Sequence, residues 1–367
     1  MRFIGRPMNL ATGRRSSVGQ WQGAARVHRV LWRRRLPQAI RRGHREGPPA
    51  PRLDTMIEHL ADEHGVLLRR DMVAAGISDP VISKLRRREH VVRIRHGVYV
   101  LADRWRAADA RGRHLMLAHG TWRLYGDDVA LSHTSAALLA GAPSHGLDLG
   151  RAHLTHLGGA GERTQASVVH HRGRLLVDEV TRHRGRWVTA PVRTALDAAS
   201  VASHDGAICA LDWFLRYGGV SVEELHGHLA RRTSWPDHLD LAMKVGLANG
   251  LSESVFETLL RLRIGESGLP QPVLQLEVRH PSGQLAGRAD FGWPAHGVLG
   301  EADGQVKYHR YRRPGESIEQ MVMREKHRED QLRELTGYRM LRFVWGDLYQ
   351  WPHTRERLER ALVRTAA

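Results

Sequence analysis

Three acids near the end of the chain are spaced for metal chemistry. Glu301 and Asp303 stand two apart in GEADGQVKY, directly after the apolar run GVL. Such a run reads as a buried strand, and acids at alternate strand positions point to one face. Asp290, in GRADFGWP, belongs to the strand before, across a short PAHG turn. The two strands therefore lie side by side, where facing residues are about 5 Å apart. Carboxylates that close repel unless a cation lies between them or one is protonated. Oxygen ligands with room for water suit Mg²⁺. A Mg²⁺ held this way lowers the pKa of a bound water and stabilises charge on a phosphoryl group. Glu257, on an earlier helix, would supply a third oxygen and Asp303 an extra ligand. Lys307 shares the strand parity of Glu301, with Gly304 turning the chain between them.

These residues also have plainer uses. Glu257 is three after Ser254, the spacing of a helix cap, and four before Arg261, the spacing of an ion pair. Asp290 and Glu301 would pair with Arg288 or Lys307. Asp303–Gly304 is an ordinary turn signal.

The elements that must position the acids follow in order. LSESVFETLLRLRIGESGLP predicts a helix that buries Val255, Phe256, Leu259, Leu260 and Leu262 and stops at Gly268 and Pro270. PVLQLEVRH, GRADFGWP and GVLGEAD predict three strands of a meander. ESIEQMVMREKHREDQLRELTG predicts a charged helix ended by Gly337, and YRMLRFVW a last strand before a last helix. The order is α-β-β-β-α-β. With its helix Glu, strand ADF, strand GEADG and helix REKHREDQLRELTG, this segment resembles the small domains related to very-short-patch-repair endonucleases, a branch of the PD-(D/E)XK fold. The resemblance covers residues 252–346. It implies that Glu257, Asp290 and Glu301 are the family's acids, that Mg²⁺ or Mn²⁺ is the cofactor and that the reaction is phosphodiester hydrolysis. One departure stands out. The family's lysine follows the glutamate by two, and Asp303 occupies that place. Arg324, Lys326 or Arg328 of the next helix would have to bring a cation instead.

A second group of residues speaks for nucleic acid. ISDPVISKLRRREHV predicts a helix with Ser78 as N-cap and Pro80 in its first turn, where the missing N–H is harmless. Ile82 and Leu85 face inward, and Lys84, Arg86, Arg87 and Arg88 project outward. DTMIEHLADEHG and LRRDMVAAG predict two shorter helices before it. VVRIRHGVYVL predicts two strands broken at His96–Gly97, with Arg93 and Arg95 on the first. Three helices and a two-stranded wing make a winged helix-turn-helix, whose third helix enters the major groove of double-stranded DNA. Four cations on a short helix would otherwise be a solvated face. Residues 55–102 also resemble the N-terminal domain of AbiEi-type antitoxins, which implies a DNA-binding module that autoregulates its operon and a cognate toxin as partner.

The segment between, residues 103–250, carries less chemistry. LSHTSAALLAG predicts a helix capped at Ser132, RAHLTHL and ASVVHHR two strands, and VTAPVRTALDAAS a strand running into a helix with Pro191 at its start. His133, His153, His156, His170, His171 and His183 show no zinc-site spacing such as HExxH. They are expected to be surface or hydrogen-bonded core residues, with His170 and His171 on opposite strand faces. The segment reads as a connecting or oligomerising α+β domain.

Composition sets the limits. The net charge is +17, but residues 1–52 hold 13 Arg against the single acid Glu46, which accounts for +12. Residues 1–53 therefore read as a disordered basic tail, or as over-extended translation before a start at Met56. Charge alone says little about the folded part. The lone Cys209 excludes a disulfide framework and a cysteine-based zinc cluster. No apolar run reaches the roughly 18–20 residues that cross a membrane. The single cysteine fits a reducing cytoplasm, and a cytoplasmic protein is expected. Together these readings predict an α+β multidomain chain. Its units are a winged helix-turn-helix at 54–102, an α+β domain at 103–250 and a restriction-endonuclease-like domain at 251–367. The expected function is a DNA-binding protein with a metal-dependent endonuclease-like domain. The alternative is a non-catalytic AbiEi-type antitoxin or transcriptional regulator with a degenerate nuclease fold.

Overall fold

In the computed structural model the described residues are 53–158, 163–165, 167–173, 175–235, 237–303 and 316–363. Residues 1–52 of the basic segment and Lys307 lie outside them. Leu53–Leu60 forms α1, with Ile57 buried as its apolar spacing requires. Val66–Leu68 (β1), Arg69–Ala74 (α2), Asp79–Arg87 (α3), Val91–Arg95 (β2) and Val98–Leu101 (β3) follow. Ile82 and Leu85 of α3 pack with Ile57, Met72, Val91 and Tyr99. Between β2 and β3 the chain turns at Gly97, whose φ of 77° suits glycine. The three-stranded sheet runs β1-β3-β2, one strand more than the sequence suggested. β1 was hidden because a three-residue apolar run that is buried throughout has no period to read. Ser78 is the N-cap of α3 by position, yet its side chain makes no cap hydrogen bond.

The next segment opens with Ala102–Ala107 (α4) and Ala110–Tyr125 (α5). Val129–Leu131 (β4), His133–Ala140 (α6), Ala152–His156 (β5), Arg163–Gln165 (β6), Val168–His171 (β7), Val180–His183 (β8) and Arg186–Thr189 (β9) come next. The six strands form one sheet in the order β6-β7-β5-β4-β9-β8. Leu117, Ala118 and Trp122 of α5 pack on its Val129, Leu131, Ala152, Leu154, Val168 and Val188. Pro191–Val201 (α7), His204–Tyr217 (α8), Val222–Ala230 (α9) and His238–Leu247 (α10) make an alanine-rich helical core. Small side chains let these helices approach closely. Cys209 lies buried in α8, as expected.

The last segment has the predicted order. Val255–Glu266 is α11, and Val273–Arg279, Leu285–Trp293 and Val298–Asp303 are β10, β11 and β12. Ile318–Thr336 (α12), Arg339–Val344 (β13), Trp345–Tyr349 (α13) and Trp351–Val363 (α14) complete it. The strands are hydrogen-bonded in sequence order. β10, β11 and β12 are antiparallel, and β13 returns parallel to β12 after the α12 crossover. Phe256, Leu260 and Ile264 of α11 and Leu358 and Leu362 of α14 enclose Phe291, Trp293, Val298 and Phe343. Leu332 of α12 packs on Val278, Ala289 and Leu299.

Contacts cross both segment boundaries. Asp62 of the first segment accepts hydrogen bonds from the His64 and Val66 N–H groups and pairs with His119 (3.0 Å) and Arg123 (2.5 Å) of α5. Asp212 of α8 accepts from Thr258 and Arg261 of α11 at 2.8 and 3.0 Å. No helix among the described residues is long and apolar enough to cross a membrane.

Candidate functional site

The exposed cations of α3 form the first candidate surface. Burial of Ile82 and Leu85 fixes the rotation of the helix, which turns Lys84, Arg86 and Arg87, together with the C-cap residue Arg88, to solvent. Lys84, Arg87 and Arg88 stand at i, i+3 and i+4 and so share a stripe. Among the described residues none of the four cations makes a salt bridge, although Asp79 and Glu89 flank the run. Asp79 is held by Arg69 and Glu89 by Arg106. Arg93, on β2, is also exposed. Arg95 is not part of this surface. Its guanidinium lies over the Tyr125 ring at 5.3 Å and 3.2 Å from the Tyr125 hydroxyl, half-buried against α5.

The acids of the C-terminal sheet are placed differently. Glu257, 3% exposed, accepts from the Glu253 N–H and the Ser254 hydroxyl, both at 2.9 Å. Its backbone N–H donates to Ser254 Oγ, the expected cap. The alternative pair with Arg261 does not form, since Arg261 reaches Asp212 instead. Gln275 of β10 donates to Glu257 at 3.3 Å and to Asp290 at 3.4 Å, and so links the two. Gln275 has a φ of 50°, a conformation that is costly for a side-chain-bearing residue. The ladder pairs Leu274 with Phe291 and Leu276 with Ala289, and skips Gln275–Asp290 between them. On the other side the β11–β12 ladder ends at Phe291–Gly300, one pair short of Asp290–Glu301. Asp290 replaces the missing ladder bond by accepting from the Ala302 N–H at 2.8 Å.

Glu301 is 6% exposed and accepts from Arg328 of α12 at 3.1 Å. Arg328 also donates to the Arg288 carbonyl and to Glu325. Burial alone would lower the Arg328 pKa. The charges of Glu301 and Glu325, the Glu301 hydrogen bond and the charge of Asp290 outweigh it and raise the pKa. Of the three helix cations considered, Arg328 thus takes the place beside Glu301. Arg324 pairs with Glu316 and Glu325, and Lys326 is exposed. Arg288 pairs with Glu277 rather than with Asp290 or Glu301. Asp303, half-buried, ends β12 opposite Val344.

Metal-ligand atoms from three or more side chains come within 4.8 Å of one another in two groups among the described residues. These are His133, His153 and His171, and His204, Asp205 and Glu266. The set Asp290, Glu301 and Asp303 is in neither. His204 and Glu266 are exposed, and Arg263 pairs with both acids of that group.

The histidine group went unseen in the sequence, and strand register explains how it forms. β4 pairs antiparallel with β5, Leu131 opposite Leu154, so the start of α6 falls beside His153. β5 pairs parallel with β7, Thr155 opposite His171, which brings His171 next to His153. His153 Nδ1 and His171 Nε2 are 2.8 Å apart. The rings of His133 and His171 stack at 3.5 Å and 10°. Burial, then the neighbouring histidines, drive the His133 pKa well below its ordinary value and that of His153 to about 3. Burial, with Arg193 and His170, takes His171 to about 4. All three are neutral near pH 7. His170 points the other way, as the alternation of a strand requires, toward His156 and Tyr125.

Residues 54–102 match the family of AbiEi antitoxin transcriptional regulators. The first module is of the AbiEi transcriptional-regulator type. Over 265 residues the chain is 28% identical to the uncharacterized proteins Rv2248 and MT2308 of two Mycobacterium tuberculosis strains, covering 71% of this chain and 88% of theirs. The crystal structure of the RV2827C protein from Mycobacterium tuberculosis matches 62% of this chain and 88% of its own at 16% identity. Its TM-score of 0.35 is too low to bear on fold or function.

Proposed function

We propose that the protein is a DNA-binding regulator of the AbiEi antitoxin type, whose C-terminal module is a nuclease-like fold used as a non-catalytic platform. The observation that carries the first half is the α3 surface. Four cations point to solvent, none in a salt bridge among the described residues, on the third helix of a winged helix. Such a surface neutralises phosphates and releases counterions. DNA from upstream of the protein's own gene should bind more tightly than an unrelated duplex of equal length, by titration at several salt concentrations. Equal affinity for both would remove the regulator reading and leave only a basic surface. A cognate toxin encoded next to it would be the second partner.

For the platform half, the support is the state of the acids. Mg²⁺ fits poorly in this arrangement, because the ion would have to displace Arg328 from Glu301 and because, among the described residues, Asp290 and Glu301 belong to no group of three acids with ligand atoms within 4.8 Å of one another. The rival reading is Mg²⁺- or Mn²⁺-dependent phosphodiester hydrolysis, with Glu257, Asp290 and Glu301 as its acids and Lys307 or Arg328 as its cation. It is favoured by the α-β-β-β-α-β order and by a cation beside Glu301 where the position of Asp303 lacks one. Incubating supercoiled plasmid with the wild type and with Glu301→Gln in Mn²⁺ separates the readings. Nicking by the wild type alone would overturn the platform.

A further inference from the structure

We propose that His133, His153 and His171 form a binding site for a divalent transition metal of the zinc class. The cluster joins three elements: the first residue of α6, the second of β5 and the last of β7. One ring nitrogen from each residue lies within 4.8 Å of the others. Tetrahedral Zn²⁺ with Zn–N bonds of about 2.0–2.1 Å would bring such nitrogens to a little over 3 Å apart. To reach that geometry the His133 and His171 rings, stacked 3.5 Å apart and 10° from parallel, would move apart and splay so that their nitrogens converge on the ion.

Several features of the cluster are costly without a ligand. His153 is 4% exposed, and its Nε2 has no hydrogen-bond partner among the described residues. Leaving a buried polar atom unsatisfied is unfavourable. His133 adopts a φ of 49° at the head of its helix, a strained conformation of the kind that collects at binding sites. Behind it, Ser132 Oγ is 3.0 Å and Asp197 Oδ2 3.8 Å from His133 Nδ1. Arg193 holds the other Asp197 oxygen at 2.7 Å. At 3.8 Å Asp197 is beyond hydrogen-bond reach of His133, so Ser132 Oγ is the group that orients the His133 ring through Nδ1.

The chemistry of the donors narrows the ion. Three neutral imidazoles suit Zn²⁺, Co²⁺, Ni²⁺ or Cu²⁺, whereas Mg²⁺ and Ca²⁺ take oxygen ligands. Three protein nitrogens leave a fourth position open, the pattern of exchangeable and catalytic zinc sites rather than closed structural ones. His171 is the least buried of the three and marks the open side. The sole cysteine, Cys209, is buried in α8 and is not part of the group.

The test uses the full chain stripped with a chelator, with Co²⁺ as spectroscopic probe and Zn²⁺ as competitor. One Co²⁺ per chain should give the intense visible bands of a tetrahedral site, and Zn²⁺ should remove them and raise the melting temperature. His171→Gln should weaken Zn²⁺ binding by about 100-fold or more, beyond the effect of losing an orienting partner. His153→Gln should do the same. His156→Gln and Glu301→Gln should bind as the wild type does, the latter separating this site from the acids of the C-terminal sheet. No binding by the wild type would overturn the proposal, as would binding unchanged in both His171→Gln and His153→Gln. Binding lost only in His204→Gln would overturn it in favour of the surface group.

Discussion

The charges of α3 and those of the C-terminal sheet were equally visible as residue types, and the fold treats them in opposite ways. On α3 two apolar residues turn inward and four cations outward, and among the described residues no acid pairs with them. In the C-terminal sheet the acids turn inward and are tied to protein groups. Glu257 joins a helix start, Asp290 a strand N–H and Glu301 the guanidinium of Arg328. A charge left in water with no partner is available to bind something else. A buried charge with a partner is committed to the fold, since breaking the pair strands the remaining ion.

That contrast is broken most directly at Arg328. Arg328→Met takes the guanidinium away from the buried Glu301 carboxylate and should destabilise the protein by about 3 kcal/mol. Adding Glu301→Gln should recover a large part of the loss, because the two residues are coupled. Denaturant melts of the two single variants and the double variant measure it. A Glu301→Gln single variant that costs as much as Arg328→Met, with no recovery in the double, would show that the pair is not the unit.

The outward charges predict the reverse pattern. Arg86, Arg87 and Arg88 replaced together by Gln should weaken DNA binding by about 100-fold and reduce the salt slope by about 2–3, at roughly 0.9 for each phosphate no longer neutralised. Stability should move by no more than about 0.5 kcal/mol per residue, as for ordinary surface changes. Arg95→Gln should hardly alter DNA affinity, since that guanidinium is already engaged by Tyr125. A drop in affinity from Arg95→Gln as large as that from the three arginines would mean that the wing strand, not α3, reads the DNA.

What was legible follows the same division. Periodicity disclosed α3 and its rotation, and alternation with turn residues disclosed the order of the C-terminal sheet. Both signals are local. Asp290 and Glu301 were correctly placed on neighbouring strands, but the β10–β11 ladder breaks at Gln275, whose φ of 50° no pattern marks, and the β11–β12 ladder stops one pair short of Asp290. The histidine group was illegible for a different reason. Its members lie 20 and 18 residues apart in the chain, and they meet only through an antiparallel and a parallel strand pairing. Sequence motifs for metal sites rest on ligands that share a helix or a turn, so a site assembled by register leaves no spacing to find.

Asp62 tests the contrast between outward and inward charge by pH. Burial alone would raise its pKa, but the hydrogen bonds from His119 and the Val66 N–H and the pull of His119 and Arg123 hold it well below the usual carboxylate range. A carboxylate with a depressed folded-state pKa stabilises the protein above its unfolded value, near 3.9, and this stabilisation disappears as pH falls toward the folded value. Stability should therefore decline between about pH 5 and pH 2, by about 1–2 kcal/mol from this group. Asp62→Asn should start lower at pH 6 and lose correspondingly less on acidification. An identical acid decline in the variant would place the sensitivity elsewhere.

The smallest effects compare two serines that the sequence presents alike. Ser78 and Ser254 each precede a helix, and each has the residue type that caps one. Only Ser254 does so, accepting the Glu257 N–H at 3.2 Å while its hydroxyl donates to the Glu257 carboxylate. At α3 the Ser78 side chain makes no cap bond. Pro80 in the first turn already removes one donor that would need satisfying, and Asp79 is occupied by Arg69. Ser254→Ala should therefore cost about 1 kcal/mol and Ser78→Ala only a few tenths, both read by denaturant melts. The difference bears on the larger contrast. Ser254 holds the Glu257 carboxylate at the head of α11, so its removal loosens an inward acid. If Glu257 is only a cap partner, Ser254→Ala should leave the response to added Mn²⁺ as flat as in the wild type. A melting temperature that rises with Mn²⁺ in Ser254→Ala alone would show that the cap restrains an acid otherwise able to join a metal site.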